Sequence, residues 1–291
     1  MSTTPERVAV IGLGNLGHAL AETFLRQGIS TTVWNRDAAK ADALVAAGAT
    51  TATTAAEAIA ASDLVLVALL DAGVTRQVLT TAGDAVAGRA LVNVTSGGPE
   101  DARELATWAA ERGAQYLHGA VYAVPQTIGT AGSSISYSGD QAVHRRWEAK
   151  LDLLGRGTFL GADAGLASGY DVAILAGMYG MIGGFLHATA MASAAGVRAT
   201  ELTPMLLSWL ADSFPALTTF AEEIDRGGYA GGESSLAMNQ AGLSTIIRAS
   251  RELAVPADTL LPIKDLIDRQ IEAGHGAASL SRAVESFRSA A

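Results

Sequence analysis

The stretch VAVIGLGNLGHALAETFL, residues 8–25, constrains the fold more than any other in the chain. A β-branched apolar run leads at once into Gly12, Gly14 and Gly17 in GxGxxG spacing, and then into an alanine- and leucine-rich stretch of helical period. In such a strand–turn–helix unit the first glycine permits the tight turn and the second lets a pyrophosphate approach the backbone. The third lets the helix pack on the strand, with its N-terminus facing the phosphates. Glycine-rich turns are common, but here the strand, the helix and the position in the chain agree. Gly12, Leu13, Gly14, Asn15, Leu16 and Gly17 are therefore assigned to a bound dinucleotide, the alternative being a tight turn with no ligand.

The same alternation continues. Strand-like runs VAVIGL, TTVWNR, DLVLVAL, ALVNVTS, AQYLHGAVY and SISYSG are separated by alanine-rich helical stretches, as in a parallel sheet covered by helices. After about residue 165 the strand signals stop, and helices are expected at 200–226, 235–253 and 258–273. The sequence thus predicts an α/β Rossmann domain over 1–163, then a long connecting helix and an all-α domain over 164–291.

Composition removes several function classes. A chain of 291 residues with 49% apolar and 17% charged residues is globular and well buried. Its net charge of −9, with no lysine- or arginine-rich run, argues against a nucleic-acid partner. With no cysteine there is no disulfide, thiolate nucleophile or cysteine metal site, which suits the cytoplasm, and MSTTPERVAVIGLG lacks a signal peptide's apolar core. Histidines 18, 118, 144, 187 and 275 form no HxxxH pair, so no metal site is expected. From Val172 to Val197 there is no Asp, Glu, Lys or Arg, a length that would cross a bilayer. Gly177, Gly180, Gly183, Gly184 and His187 interrupt it, so the reading is a buried helix packed on all sides, not a membrane span, with Met178 and Phe185 in the core.

The second strand ends in VWNRDAAKA (33–41), where an NAD site usually carries an acid for the ribose hydroxyls. Asn35, Arg36 and Lys40 instead suit a 2′-phosphate, and NADPH is the expected cofactor. Asp37 is read as a cap of the following helix. Arg36 and Lys40 as solvated surface charges are the alternative. Leu70 and Asp71 in ALLDAG, and Asn93, Thr95 and Ser96 in NVTSGGP, follow later strands, where ligands sit in such sheets; ordinary turn chemistry would use the same residues.

Taken in order, GLGNLG (12–17), VWNRDAAKA (33–41), NVTSGGP (93–99), AVPQTIGT (123–130), YSG (137–139) and GLASGYD (165–171) with MYG (178–180) form a recognisable set. The chain resembles the imine reductases and reductive aminases, relatives of the β-hydroxyacid dehydrogenases, over nearly its whole length. It departs at Leu16, often methionine, and Gly169, often bulkier. The resemblance implies an NADPH-binding domain, a long helix and a helical domain exchanged between the subunits of a homodimer. The active sites would lie between subunits, with small-molecule imines, amines and ketones as substrates.

Residue chemistry separates this from the hydroxyacid dehydrogenases. Their catalytic lysine and following asparagine correspond to Asp171 and Leu175, and a carboxylate attracts or protonates a basic nitrogen. Their serine- and glycine-rich substrate loop is replaced by the apolar AVYAVPQ (120–126), which brings Tyr122 to the substrate. Asp171 is read as the catalytic acid; the alternative is a helix N-terminal aspartate held by the dipole. Tyr179, about 80° round and two turns along the helix, borders the same cavity or is a core tyrosine. Trp209, Met238 and Gln240 take a substrate-pocket role from the resemblance alone; by composition the first two would be core. A hydroxyacid dehydrogenase-like oxidoreductase and a non-catalytic NADPH sensor remain the alternatives in function.

Overall fold

The strand signals of the first half become an eight-stranded sheet in the computed structural model, which describes residues 6–230 and 234–288. Its first elements are β1 (Val8–Ile11), α1 (Asn15–Arg26), β2 (Thr31–Trp34), α2 (Asp42–Ala46), β3 (Thr50–Thr51) and α3 (Ala55–Ala60). There follow β4 (Leu64–Val67), α4 (Ala72–Ala82), β5 (Ala90–Asn93), α5 (Pro99–Glu111) and β6 (Gln115–Tyr122). The sheet is completed by β7 (Ser134–Gly139), α6 (Gln141–Leu151) and β8 (Arg156–Gly161).

Strand order is β3-β2-β1-β4-β5-β6-β7-β8, and the first six strands are parallel. This is a Rossmann-like α/β arrangement, in which the order reverses beside β1 and opens a crevice at the strand ends. The expectation of a purely parallel sheet needs correction, because β7 pairs antiparallel with β6 and β8 then runs parallel to β7. Between β6 and β7 the chain holds only a short 3-10 turn, Pro125–Thr127, too little for a crossover back across the sheet. β3 and β8 were not among the expected strands: one is two residues long, and glycines 157 and 161 break the apolar pattern of the other.

Both faces of the sheet are apolar, as a covered parallel sheet requires. Val8, Val10, Leu64, Leu66 and Val92 pack with Leu20 and Phe24 of α1. Ala9, Ile11, Val65, Val67 and Leu91 pack on the other face with Ile59, Leu79 and Leu105 of α3, α4 and α5.

The chain divides into two compact units, the first ending at Ala176 and the second beginning at Gly177. Helix α7 (Gly165–Ala194) runs through that boundary, and α8 (Ala199–Arg226), α9 (Leu236–Glu252) and α10 (Leu261–Glu272) follow. Within the second unit Leu236, Ile247 and Ile267 are buried. His187 ties the elements together: Ser250 Oγ donates to the Val255 carbonyl (2.9 Å) and accepts from His187 Nε2 (3.1 Å), while Thr259 bonds His187 Nδ1 (2.8 Å).

Two expectations for α7 are corrected. Its uncharged segment is not packed on all sides within one chain: Val172, Ile174, Met181 and Leu186 are exposed, and Met178 is not a core residue. Helix α8 likewise has no buried residue. Asp171 also does not open the helix, which starts six residues earlier at Gly165.

Candidate active site

The glycine loop between β1 and α1 is shaped by packing at two glycines and left open at the third. Gly12 has φ +97°, and a side-chain carbon there would lie 2.3 Å from the Ala68 carbonyl oxygen. At Gly17 it would lie 1.9 Å from the Gly12 carbonyl oxygen, whereas at Gly14 it would meet nothing within 4 Å. Gly14 also caps α1 without a side-chain bond, so the first N–H groups of the helix remain available to an anion.

Beside this loop lies a cavity of about 1000 Å³ lined by Gly12, Gly14, Asn15, Leu16 and Gly17, by Trp34 to Asp37 with Lys40, and by Leu69 and Leu70. Among the described residues neither Arg36 nor Lys40 is in an ion pair. Asp37 caps the next turn by accepting from Ala39 N (3.2 Å), as expected. The open glycine backbone, a bare helix N-terminus and two cations at the end of β2 fit a dinucleotide with a 2′-phosphate. Asn35 lines the cavity and also makes bonds within the protein: its Oδ1 accepts from Leu13 N (3.0 Å), and its Nδ2 donates to the Asp37 carbonyl (2.9 Å). Its amide therefore braces the glycine loop.

Sequence reasoning missed the far end of this cavity, where Thr53, Gln77, Val78 and Thr81 line the wall. Val74, Gln77, Val78 and Thr81 fall on one face of α4, a helical spacing that was legible once α4 was placed after β4.

Of the later loops, Leu70 is 85% exposed, while Asp71 caps α4 through Val74 N (2.8 Å). Asn93 and Thr95 are buried. Asn93 Oδ1 accepts from Thr95 N (3.1 Å), and Thr95 Oγ1 receives Leu69 N (2.9 Å) and the Thr75 hydroxyl (3.2 Å). The Thr95 side chain locks the two loops together, the Asn93 amide holds the Thr95 backbone, and Ser96 is the exposed residue beside them.

Ser168, one turn before Asp171 on α7, donates to the Gly97 carbonyl and so joins α7 to the loop carrying Ser96. Asp163 accepts from Gly165 N (2.9 Å), capping α7, and takes a two-pronged pair from Arg103 (3.0 and 2.8 Å). With that cap filled and Asp171 beyond the first turn, the helix dipole offers Asp171 little stabilisation. Asp171 is 6% exposed; burial raises its pKa, and the nearby Ser96 side chain, which favours the charged form, pulls the other way. The Tyr122 hydroxyl is shielded from solvent without a hydrogen bond of good geometry, although Ser136 lies alongside. Its pKa is raised, by burial first and then by the nearby Asp171. A buried carboxyl whose pKa is raised, beside an unpartnered phenol, can carry a proton to a basic nitrogen.

Tyr179, Trp209 and Met238 belong to the second unit and are exposed on the single chain, at 67%, 71% and 52%. Gln240 donates to Asp268 (2.6 Å), which also pairs with Lys264. Among the described residues no cluster of three metal-ligating side chains occurs.

Comparison with known proteins bears on the whole chain. Residues 163–289 match the family described as NADPH-dependent reductive aminase-like, C-terminal domain. Residues 7–162 match the NAD binding domain of 6-phosphogluconate dehydrogenase. The chain is 41% identical to an NADPH-dependent reductive aminase of Aspergillus oryzae, over 97% of each chain. It superposes with TM-score 0.93 and 43% identity on a reductive aminase from Aspergillus terreus in complex with NADPH4, cyclohexanone and allyl amine, covering 98% of this chain and all of that one. A Streptomyces aurantiacus imine reductase matches with TM-score 0.92 and 34% identity, over 97% of this chain and 99% of the other.

Proposed function

The chain belongs to the NADPH-dependent reductive aminase family, and from that premise we propose that it is an NADPH-dependent imine reductase. Its substrates are cyclic or preformed imines and iminium ions, and its activity extends to reductive amination of a ketone with an amine. The observation that carries this is Asp171: a buried carboxyl near Ser96 of the loop after β5, where hydroxyacid dehydrogenases carry a lysine.

The bound cofactor supplies the hydride to the C=N carbon. Arg36 and Lys40 hold its 2′-phosphate, and the open face at Gly14 with the N-terminus of α1 receives the pyrophosphate. Asp171 pairs with a cationic iminium nitrogen or protonates a neutral one. Tyr122 lines the apolar side of the substrate space, and Tyr179 orients or shares the proton. Trp209, Met238 and Gln240 shape the pocket.

The exposed apolar faces of α7 and α8 support a second part of the reading, in which two copies exchange their helical domains and cover those faces. That arrangement would bring the exposed Tyr179, Trp209 and Met238 to a site completed by the partner. The absence of cysteine supports a reducing, cytoplasmic location.

NADPH oxidation followed with a cyclic imine, a ketone–amine mixture and a hydroxy-acid/oxo-acid pair tests the activity. Turnover of the imine and silence with the oxo acid are expected; the reverse pattern establishes the hydroxyacid dehydrogenase reading, and silence with all three a sensor. Sedimentation that finds a stable, active monomer at nanomolar concentration would refute the exchanged dimer.

A further inference from the structure

Asn93, Tyr116 and His118 form a polar chain in the interior of the sheet, with exposures of 3%, 4% and 2%. His118 on β6 is the direct strand partner of Asn93 on β5, and Tyr116 lies two residues before it, so all three side chains share one face. Leu91 and Leu105, packed around Tyr116, show what this layer otherwise contains. Apolar residues would be cheaper there, since each buried polar group must find a partner.

One direction gives every proton along this chain an acceptor. Thr95 N–H donates to Asn93 Oδ1 (3.1 Å), which turns Asn93 Nδ2 towards Tyr116 Oη (3.1 Å). Having accepted that proton, the Tyr116 hydroxyl gives its own to His118 Nδ1 (3.3 Å). His118 must then be neutral with its proton on Nε2. Removing the acceptor at the far end loosens the Asn93 amide, which is the acceptor of the Thr95 N–H.

We propose that Tyr116 and His118 are positioning residues for the cofactor loop: they fix the Asn93 amide, which holds Thr95 and so sets the segment that places Ser96 against Asp171. The loop is held from its other side by Ser168 on the Gly97 carbonyl and by Asp101 accepting from Gly98 N (2.9 Å). Inside the sheet Val94 N donates to the Val67 carbonyl (2.8 Å) and Thr95 Oγ1 takes Leu69 N (2.9 Å), and the Asn93 amide adds the acceptor for Thr95 N. The proposal rests on the reading that this loop meets NADPH.

The test uses the full-length protein, with Tyr116→Phe, His118→Leu and His118→Asn, the last of which keeps an acceptor where Nδ1 stood. NADPH affinity is measured by fluorescence titration, and imidazole ¹⁵N shifts are recorded without cofactor. Tyr116→Phe and His118→Leu should weaken NADPH binding roughly tenfold, the scale of one buried group left unpaired. They should raise the KM for NADPH and leave the KM for the imine unchanged, while His118→Asn binds NADPH like the wild type. In the wild type without cofactor the ¹⁵N shifts should report the Nε2–H tautomer of His118. Wild-type affinity in folded Tyr116→Phe, or equal losses in His118→Asn and His118→Leu, would overturn the proposal. So would an Nδ1–H tautomer in the wild type, a readout that needs no variant to fold. Failure of the wild type to bind NADPH would overturn the cofactor reading, and this proposal with it.

Discussion

Asn35 and Leu13 are joined beside the cofactor cavity: the amide oxygen at the start of the β2 loop accepts the Leu13 N–H at 3.0 Å and fixes the glycine turn from outside it. Asn35 thus braces the turn that a whole dinucleotide would meet, while also lining the cavity. Asn35→Ala should therefore weaken NADPH and NADH alike, by about 1–2 kcal/mol for the two lost bonds. Titration with both cofactors checks it, and a loss confined to NADPH would return Asn35 to the phosphate.

Arg36 carries the opposite expectation. Its guanidinium lines the same cavity without an ion pair among the described residues. Arg36→Ala should cost about 1.5–3 kcal/mol of NADPH binding, roughly ten- to a hundredfold, and leave NADH nearly unchanged. Michaelis constants for the two cofactors decide it; equal losses would indicate a general role in folding or phosphate binding.

Asp171→Asn should separate activity from stability. Loss of the acid should slow imine turnover by about 10²–10⁴-fold, and less for a preformed N-alkyl iminium that needs no proton. Burial raises the Asp171 pKa, so its contribution is favourable below the ordinary carboxylate range and is lost as pH rises through its raised value. At neutral pH the asparagine variant should accordingly melt higher than the wild type, with the gain vanishing in acid. A variant that turns over imines at the wild-type rate and melts lower would show that Asp171 is structural.

His118 predicts an acid-side loss. Burial lowers its pKa from 6.5 to about 4, with Tyr116 against its ring and Asp101 the charged group acting on that tyrosine. The unfolded chain binds the proton first, so stability is full above about pH 6.5 and falls as pH drops towards 4. The loss should approach about 3 kcal/mol. His118→Asn should flatten this part of the curve in denaturant titrations across that range; an unchanged slope would assign the acid loss to other groups.

Much of this was legible in order along the chain. The glycine spacing, the strand–helix alternation and the switch to helices after residue 165 each depend on neighbours a few residues apart, and the structure places β1, α1 and α8 to α10 close to where they were read. The reversal at β7 was not legible, because strand direction follows from what the connection has to span and not from the strand's own residues. Gln77 and Thr81 escaped notice for a related reason: their spacing marks a shared helix face, but not that this face borders a cavity.

The sequence by itself determined the cofactor turn, the absence of cysteine chemistry and the acid where related enzymes carry a lysine, since these are questions of which groups are present at which spacing. Tertiary structure decided what each polar group does. Asn35, Asn93 and Thr95 have the composition of ligands, yet their amides and hydroxyl bond backbone or side chains 22, 23 and 26 residues away and brace the loops. Asp171 has the composition of a helix cap, yet Asp163 fills that place and leaves Asp171 buried beside Ser96. A hydrogen bond is chosen by which partner stands within about 3 Å in the folded chain, and that distance is set by packing between segments far apart in sequence.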